Sequence, residues 1–188
     1  MKVKITKLKK AETALIGMRV PKQSYGNIGR ITDAVMEQEG YALNYGKGPD
    51  IPKFGIEKKT KGSQSKSSYS IGSMTYDDIK KYPYDESPLK AKLQSEFIVK
   101  HDQIFMEITD AKIYDYSKDC IQEIVRYAYN SAREKLNKGA NYVRGTGAWG
   151  YLEYKENSNS WVFRIPVHNM KKLMAMSSNN FDSLFEPA

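Results

Sequence analysis

The clearest hydrophobic pattern lies between Asp119 and Lys138, where apolar side chains recur every three or four residues. The stripe consists of Ile121, Ile124, Val125, Ala128, Ala132 and Leu136. This spacing puts them on one face of an α-helix, and Gly139 directly after the segment is typical of a helix end. We therefore predict a core helix over Asp119–Lys138.

A second helix is predicted from Asn27 to Gly40, where Ile28, Ile31 and Val35 form an apolar stripe. Asparagine is a favoured N-cap residue, and glycine commonly ends a helix. The helix therefore has both a start signal and a stop signal.

Two acidic residues of this helix, Asp33 and Glu37, are four positions apart and so lie on the same face. Carboxylates at this spacing repel each other unless a cation, such as a metal or a lysine, lies nearby. A solvated helix face is the simpler explanation.

Several shorter segments have the composition of β-strands. They are residues 54–60, 96–100, 103–109, 111–116, 141–155 and 160–167. We expect a tight turn around Asp110, a polar turn over 156–159, and short helical segments over 89–94 and 169–176. Residues 61–73 are rich in Ser, Gly and Lys and fit a mobile loop, a disordered segment or a strand edge. The pattern predicts an α/β fold in which a mixed β-sheet is flanked by two principal helices.

The length of 188 residues fits one domain over 1–188. The single cysteine, Cys120, excludes an internal disulfide, in keeping with a reducing cytoplasm, and its place in an apolar-periodic segment favours a buried thiol. No segment resembles a signal peptide or a membrane span. We expect a cytoplasmic protein without a membrane partner.

The positive charge is concentrated in the first third of the chain. Residues 1–66 contain 14 Lys and Arg against 6 Asp and Glu, whereas residues 67–188 contain 16 of each, so the net charge of +8 belongs to the first segment. A positive field of this kind attracts polyanions and releases counterions on binding. A solvated lysine-rich surface is the alternative.

Chemistry is most plausible at Asp50, Glu57 and Lys59, which lie in a turn and the strand that follows it. Successive strand residues point to opposite faces, so Glu57 and Lys59 share a face, and Asp50 can fold back toward them. Two carboxylates suit Mg²⁺, and water and a substrate phosphate would complete its coordination. The lysine could orient the water or neutralise developing charge. The charged edge of an ordinary hairpin is the alternative explanation.

The segment Asp50-x6-Glu57-Lys58-Lys59-Thr60, with Asp-Ile-Pro at its start, resembles the metal motif of the PD-(D/E)xK nucleases. Within them it is most similar to the branch that contains MutH, MvaI and BcnI. Residues 26–33 are similar to the start of the family's preceding helix, whose acid faces the active site. Asp33 stands where relatives have Glu, after a slightly longer gap to Asp50, and Glu37 is the alternative acid.

Two downstream stretches extend the resemblance, which spans roughly residues 24–175. Residues 89–93, followed by 97–99, are similar to the segment that contributes a second active-site lysine; Lys92 matches best and Lys90 is the alternative. Residues 161–165 and 170–173 are similar to the family's closing strand and helix.

The resemblance implies a restriction-endonuclease-like catalytic core over about 24–138 and DNA-reading strands and loops over about 139–176. It implies that Asp50, Glu57 and the Lys58 carbonyl bind Mg²⁺, and that Lys59 positions or deprotonates water. Lys92 would support the scissile phosphate, and Asp33 would bind a second metal or orient Lys59. The products would carry 5′-phosphate and 3′-hydroxyl ends.

Basic and amide side chains are the candidates for contact with double-stranded DNA, since arginine and asparagine form bidentate contacts with base edges. They are Arg30, Lys61, Lys66, Arg144, Lys155, Asn157 and Asn159. The glycines at 145, 147 and 150 fit a tight turn or bulge as well as they fit a DNA-reading segment around Arg144.

The leading expectation is a sequence-specific, Mg²⁺-dependent type II restriction endonuclease that acts as a monomer or weak homodimer, since no long amphipathic segment indicates an obligate assembly. A strand-nicking repair endonuclease of the MutH kind is the enzymatic alternative. A basic DNA-binding module with an inactive nuclease fold is the alternative from another class. An RNA-binding domain ranks last because the chain lacks the usual RNA-binding signatures.

Overall fold

The computed structural model describes residues 2–20, 26–46, 48–140 and 149–178. Within them the chain has a mixed α/β fold with two three-stranded sheets and flanking helices. The helices are α1 Lys2–Leu15, α2 Gly26–Gln38, α3 Tyr76–Lys81, α4 Pro88–Lys92, α5 Asp119–Asn137 and α6 Val167–Ser178. The strands are β1 Ile56–Gly62, β2 Tyr69–Met74, β3 Ser95–His101, β4 Ile108–Asp115, β5 Tyr151–Lys155 and β6 Ser160–Ile165.

The chain divides into two compact units, and each is described by itself. The first comprises residues 1–65 and 95–114, and the second comprises residues 66–94 and 115–188.

The first unit is built on the sheet β1-β3-β4. β1 and β3 run parallel, with Ile56 opposite Ser95 and Glu57 opposite Glu96. One face of this sheet carries Ile56, Phe97 and Val99, which belong to the hydrophobic core. Helices α1 and α2 complete that core with Ala11, Leu15, Ile28, Val35 and Met36, all of them buried. This face is therefore the packed side of the sheet.

The second unit is built on the antiparallel sheet β2-β6-β5. The register of β2 against β6 shifts between Ser70 and Gly72. A Cβ atom on Gly72 would lie 2.7 Å from Leu89 Cδ2, so a larger residue there would displace the Leu89 side chain of α4. Tyr129 of α5 packs edge-on against Phe163 of β6, with ring centroids 5.7 Å apart.

Gln122 of α5 is the polar centre of the second unit, and it is buried. Its Nε2 donates hydrogen bonds to the Leu93 carbonyl at 2.8 Å and the Tyr116 carbonyl at 2.7 Å, and its Oε1 accepts from the Tyr84 hydroxyl at 3.0 Å. One side chain thus satisfies three buried polar groups from different segments.

Replacing Gln122 by leucine is expected to lower the free energy of unfolding by about 2–4 kcal/mol. The substitution leaves the Tyr84 hydroxyl and two carbonyls without these bonds, and each buried unsatisfied group costs about 1–3 kcal/mol, partly offset by the apolar replacement. Urea denaturation measures the change. The exposed neighbour Glu123, replaced by glutamine, is the matched control, and equal stability of the two variants would contradict the account.

Most predicted elements are present, but the region around Asp110 was predicted wrongly. Asp110 lies inside β4, where its carboxylate is 3.1 Å from Lys100 Nζ on β3, and does not form a turn. The chain reverses at Asp102 instead, whose Oδ1 accepts the backbone N–H groups of Ile104 and Phe105, each at 2.7 Å. Both residues are aspartates, and only the contacts across the sheet decide which of them turns the chain.

Other differences are smaller. Two separate sheets replace the single sheet that was expected. The strand alternative for residues 61–73 applies at both ends of the segment, because β1 ends at Gly62 and β2 begins at Tyr69, and β5 begins at Tyr151, later than predicted. The part of that strand over 141–148 lies outside the described residues. Cys120 is exposed, because it precedes the buried stripe of α5 by one residue, so the prediction of a buried thiol was wrong.

Among the described helices, none is both long enough and apolar enough to cross a membrane.

Candidate active site

The loop before β1 folds back along the edge of that strand. Ile51 and Ile56 exchange backbone hydrogen bonds of 2.8 and 3.2 Å across a single helical turn, Pro52–Phe54. Gly55 closes the turn with φ of 62°, a left-handed conformation that glycine adopts without strain. The sequence Ile-Pro-Lys-Phe-Gly-Ile thus places Asp50 beside the strand that carries Glu57.

Asp50 contacts the backbone of β1 directly. Its Oδ2 accepts the N–H of Lys58 at 2.7 Å. β1 is an edge strand of its sheet, and the N–H and C=O of one strand residue point to the same side, so the Lys58 carbonyl also faces the edge where Asp50 lies. A carboxylate oxygen and a backbone carbonyl are therefore presented along one edge.

Glu57 and Lys59 interact on one face of β1. Glu57 is 4% exposed, and its Oε1 lies 2.8 Å from the half-buried Nζ of Lys59. This pairing agrees with the alternation of side chains along a strand, which puts both residues on the face opposite Ile56. The ammonium group is thus held against one carboxylate oxygen.

Asp33 contacts Lys58 and not Lys59. The two side chains form an ion pair on the packed face of the sheet, where both are mostly buried. Burial lowers the pKa of Lys58 to about 8, whereas the adjacent carboxylate favours the charged lysine. A lysine therefore does lie beside the acidic face of α2. Glu37, the alternative acid, accepts a hydrogen bond from the Tyr45 hydroxyl at 3.1 Å.

A third carboxylate, Glu96, was not among the predicted site residues. It lies directly opposite Glu57 in the parallel register of β1 and β3, it is fully buried, and neither carboxylate oxygen has a hydrogen-bond partner. Burial and the Glu57 charge raise the pKa of Glu96 to about 7, and the Lys59 ammonium opposes this shift. A glutamate at the start of the apolar run Phe97-Ile98-Val99 was the signal available in the sequence.

The remaining predicted residues belong to other elements or to other positions of β1. Lys61 is on the same face of β1 as Glu57, opposite Lys100 of β3, and Arg30 is exposed on α2. Lys66, Lys90, Lys92, Lys155, Asn157 and Asn159 belong to the second unit. Lys155, Asn157 and Asn159 are exposed at the turn between β5 and β6, and Arg144 lies outside the described residues.

The lysines of α4 differ in their surroundings. Lys90 Nζ lies 3.0 Å from a carboxylate oxygen of Asp85. Lys92 is half-buried, and its Cδ lies 3.3 Å from the position of a Cβ on Gly72. Both lysines pack within the second unit.

The oxygen donors of β1 and the loop before it are of the kind that a hard divalent cation prefers. Asp50 and Glu57 supply carboxylate oxygens and Lys58 a carbonyl oxygen, and Mg²⁺ prefers such a set completed by water and phosphate. No three His, Cys, Asp or Glu side chains form a ready metal-binding group in the part of the chain that the structure describes. A cation here would therefore use backbone and non-protein oxygens.

Comparison with models of known protein families and with curated proteins gives no match for the chain.

Proposed function

We propose that this protein is a Mg²⁺-dependent, sequence-specific double-stranded DNA endonuclease of the type II restriction kind. One observation carries the proposal: residues of the motif Asp50, Glu57, Lys58 and Lys59 contact one another along β1. There Asp50 contacts the Lys58 N–H at 2.7 Å and Glu57 contacts the Lys59 ammonium at 2.8 Å. The resemblance of this motif to PD-(D/E)xK nucleases supports the choice of reaction.

In the proposed mechanism Asp50, Glu57 and the Lys58 carbonyl hold the cation. Bound Mg²⁺ would polarise the phosphoryl oxygen and make the attacking water more acidic. Lys59, oriented by Glu57, neutralises the negative charge that develops on the phosphoryl oxygens, or in its neutral form accepts a proton from the water. The water oxygen would form a bond to phosphorus as the bond from phosphorus to the 3′-oxygen breaks, and the 3′-oxygen would take a proton from solvent, which leaves 5′-phosphate and 3′-hydroxyl ends.

Two further assignments rest on the resemblance. Lys92 would support the scissile phosphate, and the turn that carries Lys155, Asn157 and Asn159 would contact base edges. Both asparagines are exposed, but Asn159 Oδ1 already accepts a hydrogen bond from the Tyr154 hydroxyl at 2.7 Å. Asn157 is therefore the better candidate for adenine recognition.

The excess of basic residues over 1–66 supports DNA as the polyanion. We expect DNA affinity to fall steeply with salt, with a slope of about −0.9 per neutralised phosphate. Replacing exposed Arg30 or Lys66 by glutamine should each reduce the magnitude of that slope by about 1. Fluorescence anisotropy across a salt series measures it, with exposed Lys171→Gln as control. A wild-type affinity that does not change with salt would contradict DNA binding.

The activity is tested by incubating supercoiled and linear DNA of known sequence with the purified protein in Mg²⁺ or EDTA. Discrete fragments in Mg²⁺ alone are the expected result. Nicked circles would indicate a strand-nicking enzyme, and salt-sensitive binding without cleavage would indicate an inactive module; either result overturns the proposal as stated.

A further inference from the structure

The parallel pairing of β1 and β3 brings two buried carboxylates together on the Lys59 face of the sheet. Glu57 lies opposite Glu96, and adjacent strands are about 4.8 Å apart, so their side chains leave the sheet as neighbours. Like charges directly across a strand pair are destabilising unless something compensates them. Two such residues in a buried position therefore need an explanation.

The local charges do not balance. With Glu96 in its ionised form, Glu57 and Glu96 contribute two negative charges, and Lys59, 2.8 Å from Glu57, contributes one positive charge. Glu96 is fully buried and both of its oxygens lack hydrogen-bond partners, whereas buried polar groups in proteins are generally satisfied. The cluster is short of one positive charge and of donors or ligands for one carboxylate.

We propose that Glu96 and Glu57 together bind a divalent cation on the Lys59 face of the β1–β3 pair. This inference rests on the proposed function and extends its metal centre by a ligand that the nuclease motif does not contain. The strand register places Glu57 and Glu96 side by side. Among the residues that the structure describes, no group of three His, Cys, Asp or Glu side chains is ready to hold a metal ion. A divalent cation supplies the missing charge and occupies the lone pairs of Glu96, which have no hydrogen-bond donor.

A purely structural role for Glu96 predicts a different behaviour. If Glu96 served only to hold Lys59, its loss would lower stability and leave cation affinity unchanged. If it is a ligand, Glu96→Gln removes a repulsive buried charge, so the cation-free protein becomes more stable while cation affinity falls. Melting temperature and cation affinity together therefore separate the two roles.

The test uses Mn²⁺ as the probe and the full chain without DNA. Mn²⁺ binding is measured by electron paramagnetic resonance, and Tm with and without Mn²⁺ by circular dichroism. We expect Glu96→Gln to weaken Mn²⁺ binding by about tenfold or more. Stabilisation by a ligand follows the logarithm of one plus the ratio of its concentration to Kd. At a Mn²⁺ concentration about ten times the wild-type Kd, Mn²⁺ should therefore stabilise Glu96→Gln by about a third as much as it stabilises the wild type.

The control is Glu107→Gln, which removes a more exposed glutamate of the same unit that lies 3.1 Å from Arg19, and it should bind Mn²⁺ like the wild type. If Glu96→Gln does not fold, Glu96→Asp retains the charge but withdraws it by one methylene, and its Mn²⁺ affinity should fall severalfold. Unchanged affinity in the folded Glu96 variant would overturn the inference. This outcome is distinct from failure of the proposed function, which would appear as absence of DNA cleavage by the wild-type protein.

Discussion

Glu57→Gln is expected to reduce Mg²⁺-dependent DNA cleavage about a thousandfold or more while leaving DNA affinity intact or slightly raised. Glu57 contacts the Lys59 ammonium at 2.8 Å and is also a proposed cation ligand. Glutamine preserves the shape of the side chain but removes the negative charge through which Glu57 interacts with the Lys59 ammonium and with the proposed cation. Turnover and binding are measured separately, by cleavage rates and by anisotropy in Ca²⁺.

The matched control is again Glu107→Gln, a glutamate in an ion pair of the same unit but outside the site, which should cleave at the wild-type rate. Thermal melting of both variants checks that the loss of turnover does not come from unfolding. A Glu57→Gln protein that cleaves DNA at the wild-type rate would exclude Glu57 from the site.

Lys59→Met is expected to lower the cleavage rate about 10²–10³-fold and also to lower stability, because it removes the ammonium that pairs with the buried Glu57 carboxylate, whereas Lys58→Met should lower stability and leave the cleavage rate nearly unchanged. The adjacent lysines lie on opposite faces of β1: Lys59 contacts Glu57, and Lys58 forms the mostly buried ion pair with Asp33. Removing Lys58 leaves the Asp33 carboxylate unpaired, which costs about 3 kcal/mol. Urea denaturation and cleavage rates on the same samples measure both effects.

The double variant Asp33→Leu/Lys58→Met provides the control, because it removes both charges and should recover most of the stability that Lys58→Met loses. If Asp33 acts only through Lys58, the folded double variant retains cleavage activity. A double variant that is stable but inactive would instead assign Asp33 the catalytic role that the family resemblance implies. A Lys59→Met protein with wild-type turnover would remove Lys59 from the mechanism.

Local features of the fold were accessible from the sequence because they depend on near neighbours. The periodic stripe of α5 identified its core face, and α2 has the predicted extent to within two residues. The alternation along β1 correctly placed Glu57 and Lys59 together and Lys58 on the other face. The turn residues Pro52 and Gly55 fold the chain back, so that Asp50 contacts Lys58, which is eight positions later in the sequence.

Features that depend on long-range pairing were not accessible. The partnership of Glu96 with Glu57 follows from the register of β1 against β3, and the sequence between them does not encode which residue lies opposite which. The contact of Asp33 with Lys58 required knowing which sheet face α2 covers. Asp110 has the composition of a turn residue, but its ion pair with Lys100 keeps it within a strand.

We propose that Asp50, Glu57 and Lys59 form a cation-dependent phosphodiesterase site. The decisive measurement is the initial rate of plasmid cleavage as a function of Mg²⁺ concentration, with wild-type and Glu57→Gln proteins purified in parallel. The wild-type rate should rise and saturate with Mg²⁺ and disappear in EDTA, and Glu57→Gln should show no cleavage. A wild-type protein without cleavage at any Mg²⁺ concentration, or equal rates for the two proteins, would contradict this proposal.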